Sequence, residues 1–106
     1  MNNTNYIAFT VNPELRNELL STNQVSRVVI LPIEEELSAH LHRAASKQGL
    51  NAYKVLRALV DAYLLVRKSH NEDPMKGLRA MVRSWLKKVR KGQQVNLSKY
   101  SAGLAI

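Results

Sequence analysis

Ser26–Leu65 reads SRVVILPIEEELSAHLHRAASKQGLNAYKVLRALVDAYLL, an extended segment followed by two helical periods. Arg27 to Ile33 is rich in β-branched residues and apolar on both faces, the pattern of an extended segment. At Glu34 the period changes. Ile33, Leu37, Leu41, Ala44, Ala45 and Gln48 recur near i, i+4, i+8 and i+11, so one stripe of a helix is apolar, and Glu34, Glu35 and Glu36 suit the positive end of its dipole. Gly49 ends that helix, Leu50 supplies the apolar contact after it, and Asn51 caps a second helix from Ala52 to about Lys68. There Val55, Leu56, Leu59, Val60, Ala62, Tyr63, Leu64 and Val66 cover most of the circumference, leaving Lys54, Arg57, Asp61 and Lys68 one narrow polar strip. So apolar a helix in a short chain predicts a homodimer, or a higher assembly, joined through Val55, Leu56, Leu59 and Tyr63.

Upstream, Asn5 to Val11 alternates strictly, with Ile7, Phe9 and Val11 on one face and Tyr6, Ala8 and Thr10 on the other, as a half-exposed strand does. Asn12-Pro13-Glu14 opens a short helix, closed by the polar loop at Ser21-Thr22-Asn23-Gln24. At an offset of 22 residues, Ile7, Phe9, Val11, Glu14, Leu15 and Leu19 superpose on Val29, Leu31, Ile33, Glu36, Leu37 and Leu41, a weak internal repeat of one strand-to-helix unit. Downstream, Asp73 caps and Pro74 opens a further helix to about Lys91, with Met75, Leu78, Val82, Trp85 and Val89 as its apolar seam and Gly92 as its end. Trp85 lies on that seam as a core anchor. Residues 93–106 lack sustained periodicity and read as a tail that a protein partner could order.

The full chain has 106 residues and a net charge of +8, unevenly placed. Residues 1–66 carry six basic and six acidic groups, whereas residues 67–106 carry ten Lys/Arg against Glu72 and Asp73. A one-sided basic segment points to a polyanion, nucleic acid first and an acidic membrane surface second. On the last helix Lys76, Arg79, Arg83, Lys87 and Arg90 recur at spacings of 3, 4, 4 and 3, widened by Lys88 and Lys91, and each is a candidate phosphate contact. Catalysis finds no support in the sequence. Cysteine is absent, which removes thiolate chemistry and disulfides. His40 and His42 stand two apart and face different directions on a helix, so no metal clamp is expected; nor is a cofactor, since the four glycines form no phosphate-cradling loop. No apolar run reaches the roughly 20 residues that span a bilayer, and a cytoplasmic setting is the expectation.

The quoted stretch resembles the ribbon-helix-helix family of DNA-binding proteins. The likeness rests on the strand, on Leu37, Leu41 and Ala45, on Gly49 at the turn, on the polar cap at Asn51, and on Val55-Leu56-Arg57-Ala58-Leu59 closed by Tyr63-Leu64. It covers about 40 of 106 residues, and its motif is mostly a hydrophobic pattern. Tyr6–Glu14, YIAFTVNPE, is similar to the strand and helix start of plasmid-partition adaptors of the same family. The resemblance implies that two chains pair their strands, through Val29 and Leu31, into an antiparallel ribbon that enters the major groove. It also implies that the amides at the start of the second helix, at Asn51, Ala52, Tyr53 and Lys54, hold a phosphate, as helix N-termini can. One departure stands out. The outward positions of the second strand are Val28, Ile30 and Pro32, which supply no hydrogen-bond code, with Ser26 and Arg27 the only polar residues nearby. Tyr6 and Thr10 of the first strand, or Arg27 beside the second, are therefore the candidate readers.

The expected protein is α+β and mostly helical: a ribbon-helix-helix dimer with an added N-terminal strand and a basic third helix. Residues 1–69 would form the DNA-binding and dimerisation domain and residues 70–106 a basic amphipathic helix and tail. It would bind double-stranded DNA without catalysis, as a transcriptional repressor or a plasmid or phage DNA-organising factor. The alternative is a protein–protein adaptor that does not bind DNA, using the apolar Val28–Ile33 ribbon as its surface.

Overall fold

The computed structural model describes residues 3–92; the expected tail at 93–106, with any partner for it, lies outside them. The element order is β1 (Thr4–Thr10), α1 (Pro13–Leu20), β2 (Val28–Glu34), α2 (Glu35–Lys47), α3 (Ala52–Val66) and α4 (Pro74–Arg90). The chain is α+β and mostly helical, as its periodicities predict.

Local chemistry sets the boundaries. The Asn12 side chain accepts from the Glu14 amide at 2.8 Å with Pro13 in the first turn, Asn51 accepts from the Lys54 amide at 2.9 Å, and Asp73 accepts from the Met75 amide at 3.0 Å ahead of Pro74. Each cap satisfies one of the amides a helix start leaves unpaired. Gly49 takes φ of 71°, a left-handed turn that spares glycine a Cβ clash, and the Leu50 amide returns to the Ala45 carbonyl at 2.9 Å. Between α1 and β2 the Asn17 side chain organises the loop. Its amide group donates to the Gln24 carbonyl at 2.6 Å and its oxygen accepts from the Thr22 hydroxyl at 2.9 Å.

β1 and β2 pair antiparallel within the chain, Thr4 opposite Glu34 through Thr10 opposite Val28. The strand expected as an addition is thus the partner of β2, and the ribbon that the resemblance implied between two chains is closed inside one. The internal repeat explains how. Ala8 faces its own counterpart Ile30; Ile7 faces Leu31, the counterpart of Phe9, and Phe9 faces Val29, the counterpart of Ile7. Asn12 and Glu34 precede, and Pro13 and Glu35 open, the helices that follow the two strands, although only Asn12 makes a side-chain cap. Burial repeats as well: Ile7, Phe9, Val11 and Leu19 are buried like Val29, Leu31, Ile33 and Leu41, Leu15 and Leu37 are half-buried, and Glu14 and Glu36 are exposed. The two strands are therefore related by a local two-fold axis through Ala8 and Ile30.

Helices cover the inner face of the ribbon. α3 packs against α1, β1, α2 and α4, which accounts for its nearly all-round apolarity. Val29, Leu31, Val55, Leu56 and Leu59 are fully buried in this one chain and Tyr63 is 4% exposed. The six residues expected at a dimer interface are core residues instead, because β1, α1 and α4 supply the cover that a second chain was expected to give. The expected boundary between residues 69 and 70 does not separate two cores either. Leu78, Val82, Trp85 and Leu86 of α4 belong to the same buried cluster as Ile7, Phe9 and Leu59. At Gly77, α4 passes so close to the Tyr63 ring that a Cβ would overlap it.

Candidate nucleic-acid interface

The basic residues expected on one band of α4 divide into two groups. Arg79 is half-buried and donates to the Pro32 carbonyl at 3.1 Å, and Arg83 lies 3.4 Å from the Glu34 carboxylate. Both are turned to β2. Lys76 is exposed at the start of the helix, close in sequence to Glu72 and Asp73. Lys87, Lys88, Arg90 and Lys91 are exposed at its end.

At that end α4 lies along the second half of α2. His40, Arg43, Ala44 and Lys47 of α2 and Leu86, Val89 and Arg90 of α4 line a surface groove of about 370 Å³ with an apolar floor and a cationic rim. His40, Arg43 and Lys47 are spaced 3 and 4 apart and so share one face of α2. Arg43 and Lys47 do not stand out in the sequence, because the six basic and six acidic groups of residues 1–66 cancel. That neutral half is itself divided: its acids stand at 14–36 and at Asp61, while 37–60 holds Arg43, Lys47, Lys54 and Arg57 and no acid.

The start of α3 joins the same pole through the Gln48–Asn51 turn. The His42 and Tyr53 rings meet edge to face with centroids 6.2 Å apart. Asn51 and Lys54 are exposed, Tyr53 is 47% exposed, and the Ala52 side chain is buried, which leaves Ala52 no side-chain contact to offer at the surface. The first two amides of α3 receive no bond from the cap, whose side chain serves Lys54. One pole of the molecule thus assembles the last turns of α2 and α4 and the first turn of α3, with cations and a helix N-terminus and no acid from 37 to 60 or from 74 to 92. Acids collect elsewhere: Glu18 bonds Arg67 of the α3–α4 connection at 3.5 Å, and Glu72 accepts from the Tyr63 hydroxyl at 3.1 Å. Burial, then the Glu72 acceptor, pushes the Tyr63 phenol above its ordinary value, so it stays a donor.

Tyr6 and Thr10 do lie on the outward face of the ribbon, and Arg27 is exposed where β2 begins. The surface around Tyr6 and Thr10 is apolar: Ile30 is 56% and Val28 43% exposed, beside Ala8 and the half-buried Pro32. Among the described residues no group of three His, Cys, Asp or Glu could hold a metal, and no helix is long and apolar enough to cross a membrane. The chain matches no family model, no curated protein and no solved structure.

Proposed function

We propose that this protein binds double-stranded DNA, without catalysis, chiefly by clamping phosphates at its basic pole. The observation that carries the reading is the convergence of Arg43, Lys47, Lys54, Lys87, Arg90 and Lys91 with the open start of α3, on elements that carry no acid there. Cations with room to spread track a phosphate backbone, and helix N-terminal amides add anion contacts that fix orientation. The ribbon contributes less than the family resemblance implies, since Val28, Ile30, Ala8 and Pro32 meet thymine methyls at best. Backbone contact in this proportion suits a DNA-organising factor or a repressor of modest sequence preference.

The test is titration of the full chain with duplex DNA between about 50 and 200 mM salt. The chain carrying Arg43→Gln, Lys47→Gln, Lys87→Gln and Arg90→Gln should lose affinity, and its salt slope should shrink by about 0.9 for each phosphate contact removed. Unchanged affinity and slope, or no duplex binding by the natural chain at the lowest salt, would overturn the reading. In the second case the adaptor reading takes over, favoured by the exposure of Tyr6 (70%), Ile30 and Val28 on one ribbon face.

A further inference from the structure

The two edges of the ribbon are built differently. In the register observed, odd-numbered residues of β1 exchange hydrogen bonds with β2, a ladder continued by the Glu35 amide to the Asn3 carbonyl and the Val11 amide to the Arg27 carbonyl, both 2.9 Å. The backbone groups of even-numbered residues therefore point outward on both strands. On β2 this outer edge is interrupted on both sides of Ile30. Arg16 Nε donates to the Val28 carbonyl at 2.7 Å, Arg79 donates to the Pro32 carbonyl at 3.1 Å, and Pro32 has no amide to offer. On β1 the outward groups of Tyr6, Ala8 and Thr10 meet no hydrogen-bonding partner among the described residues. From Asn3 to Asn12 the chain has no charge, no glycine and no proline, and Thr, Tyr, Ile, Phe and Val dominate it. None of the usual devices that blunt a strand edge is present.

We propose that this edge binds a second copy of the chain, β1 against β1, giving an antiparallel four-stranded sheet in the order β2-β1-β1-β2 across a two-fold axis. Three observations select a second copy as the occupant. A chain of charge +8 repels its copies over most of its surface, and β1 is the one element without a charge, so approach there sets no cation against another. Identical antiparallel strands make a self-complementary contact. The pair also closes, because the edges it leaves outermost are those of β2, already held by Arg16, Arg79 and Pro32, and a third copy finds no free ladder. Tyr6 and Ala8 of the two chains then continue one apolar band with Ile30 and Val28. This dimer differs from the one expected through α3. It does not depend on DNA binding, but it bears on the mode: a four-stranded sheet is wider than the two-stranded ribbon a major groove admits, so base reading by β1 is given up and the two basic poles remain free.

Sedimentation of the full chain from about 10 to about 500 µM at physiological salt, with amide exchange followed residue by residue, tests the assignment. The mass should rise from one chain of 12.0 kDa toward two. In the dimer the Tyr6, Ala8 and Thr10 amides should exchange slowly and on dilution become fast, while Ile7, Phe9 and Val11 stay slow throughout. Ala8→Pro removes an outward amide and none of the intrachain ladder, so it should keep the helical circular dichroism and weaken association at least roughly tenfold. Tyr6→Lys, which sets a cation on the same edge, should do likewise and stands in if the proline variant misfolds. A single-chain mass at the highest concentration would overturn the proposal. So would a dimer in which the even-numbered amides stay fast, or slow even-numbered amides in a monomer, which would mean that the chain covers its own edge.

Discussion

α3 and α4 lie side by side, yet they show opposite ways of belonging to one core. α3 gives almost its whole circumference to burial and is surrounded by four elements. α4 buries one seam, Leu78, Val82, Trp85 and Leu86, and leaves cations at its exposed end. The apolar character of α3 suggested a second chain, and the charge of α4 suggested a separate domain. The structure answers both with one contact, because α4 is part of the cover that α3 needs. Charge on the exposed side of a helix says nothing about what its seam does.

The core that both helices share is where a substitution should do the most damage. Leu59→Asp would bury an unpaired charge at a fully enclosed site, a loss of more than about 4 kcal/mol against a total of about 5–15 kcal/mol for a domain of this size. The variant should be unfolded by circular dichroism at 25 °C. Trp85→Ala should cost about 3–5 kcal/mol in urea unfolding, although it sits on the helix with the solvated face. If α4 were an independent appendage, losing Trp85 would leave the cooperative transition of residues 3–66 in place. A single transition shifted to lower urea is the expected result.

The point of closest approach sharpens the comparison at a smaller scale. Glycine inside α4 forfeits about 1 kcal/mol of helix propensity relative to alanine, so Gly77→Ala on an isolated helix would stabilise. Here the added Cβ overlaps the Tyr63 ring, and forcing a group into a packed core costs about 1–3 kcal/mol. The clash wins, and the midpoint of thermal unfolding should fall by roughly 5–10 °C. In a Tyr63→Leu background the same substitution should cost less, a coupling that a double-mutant cycle reads directly. Equal costs in both backgrounds would mean that α4 shifts away from Tyr63 at no expense.

The parts of this architecture that local chemistry writes were legible in the chain. Asn12-Pro13, Gly49, Asn51 and Asp73-Pro74 mark helix ends because capping involves residues two or three positions apart. The outward placement of Val28, Ile30 and Pro32 followed from the resemblance to a ribbon, since a strand apolar on both faces does not itself say which one is exposed. Pairing was harder, since nothing within β2 names its partner. The offset repeat held that information: two like strands paired antiparallel about their middles place Ala8 opposite Ile30. The α2 side of the basic pole was missed for a different reason. Charge was counted along the chain, whereas the fold sorts it by helix end, bringing Arg43 and Lys47 to Arg90.

Asp61 is the only acid on α3, and it offers the finest test of how completely that helix is enclosed. Its Oδ1 is buried without a hydrogen-bond partner among the described residues, and burial raises its pKa above the ordinary value of 3.8. The folded chain therefore holds this proton more tightly than the unfolded chain does. The resulting stabilisation is fully present below the unfolded value and is lost as pH rises through the raised, folded one. At neutral pH the ionised carboxylate is a net cost to folding. Asp61→Asn abolishes the titration, so its thermal midpoint at pH 7 should exceed that of the natural chain, by less than any of the shifts above. The advantage should shrink as pH falls and vanish near pH 3, where both side chains are neutral. Every other group of the protein is common to both chains and cancels in the difference. A midpoint difference that is absent at pH 7, or that does not change with pH, would show that the Asp61 carboxylate is solvated and that α3 is open along that strip.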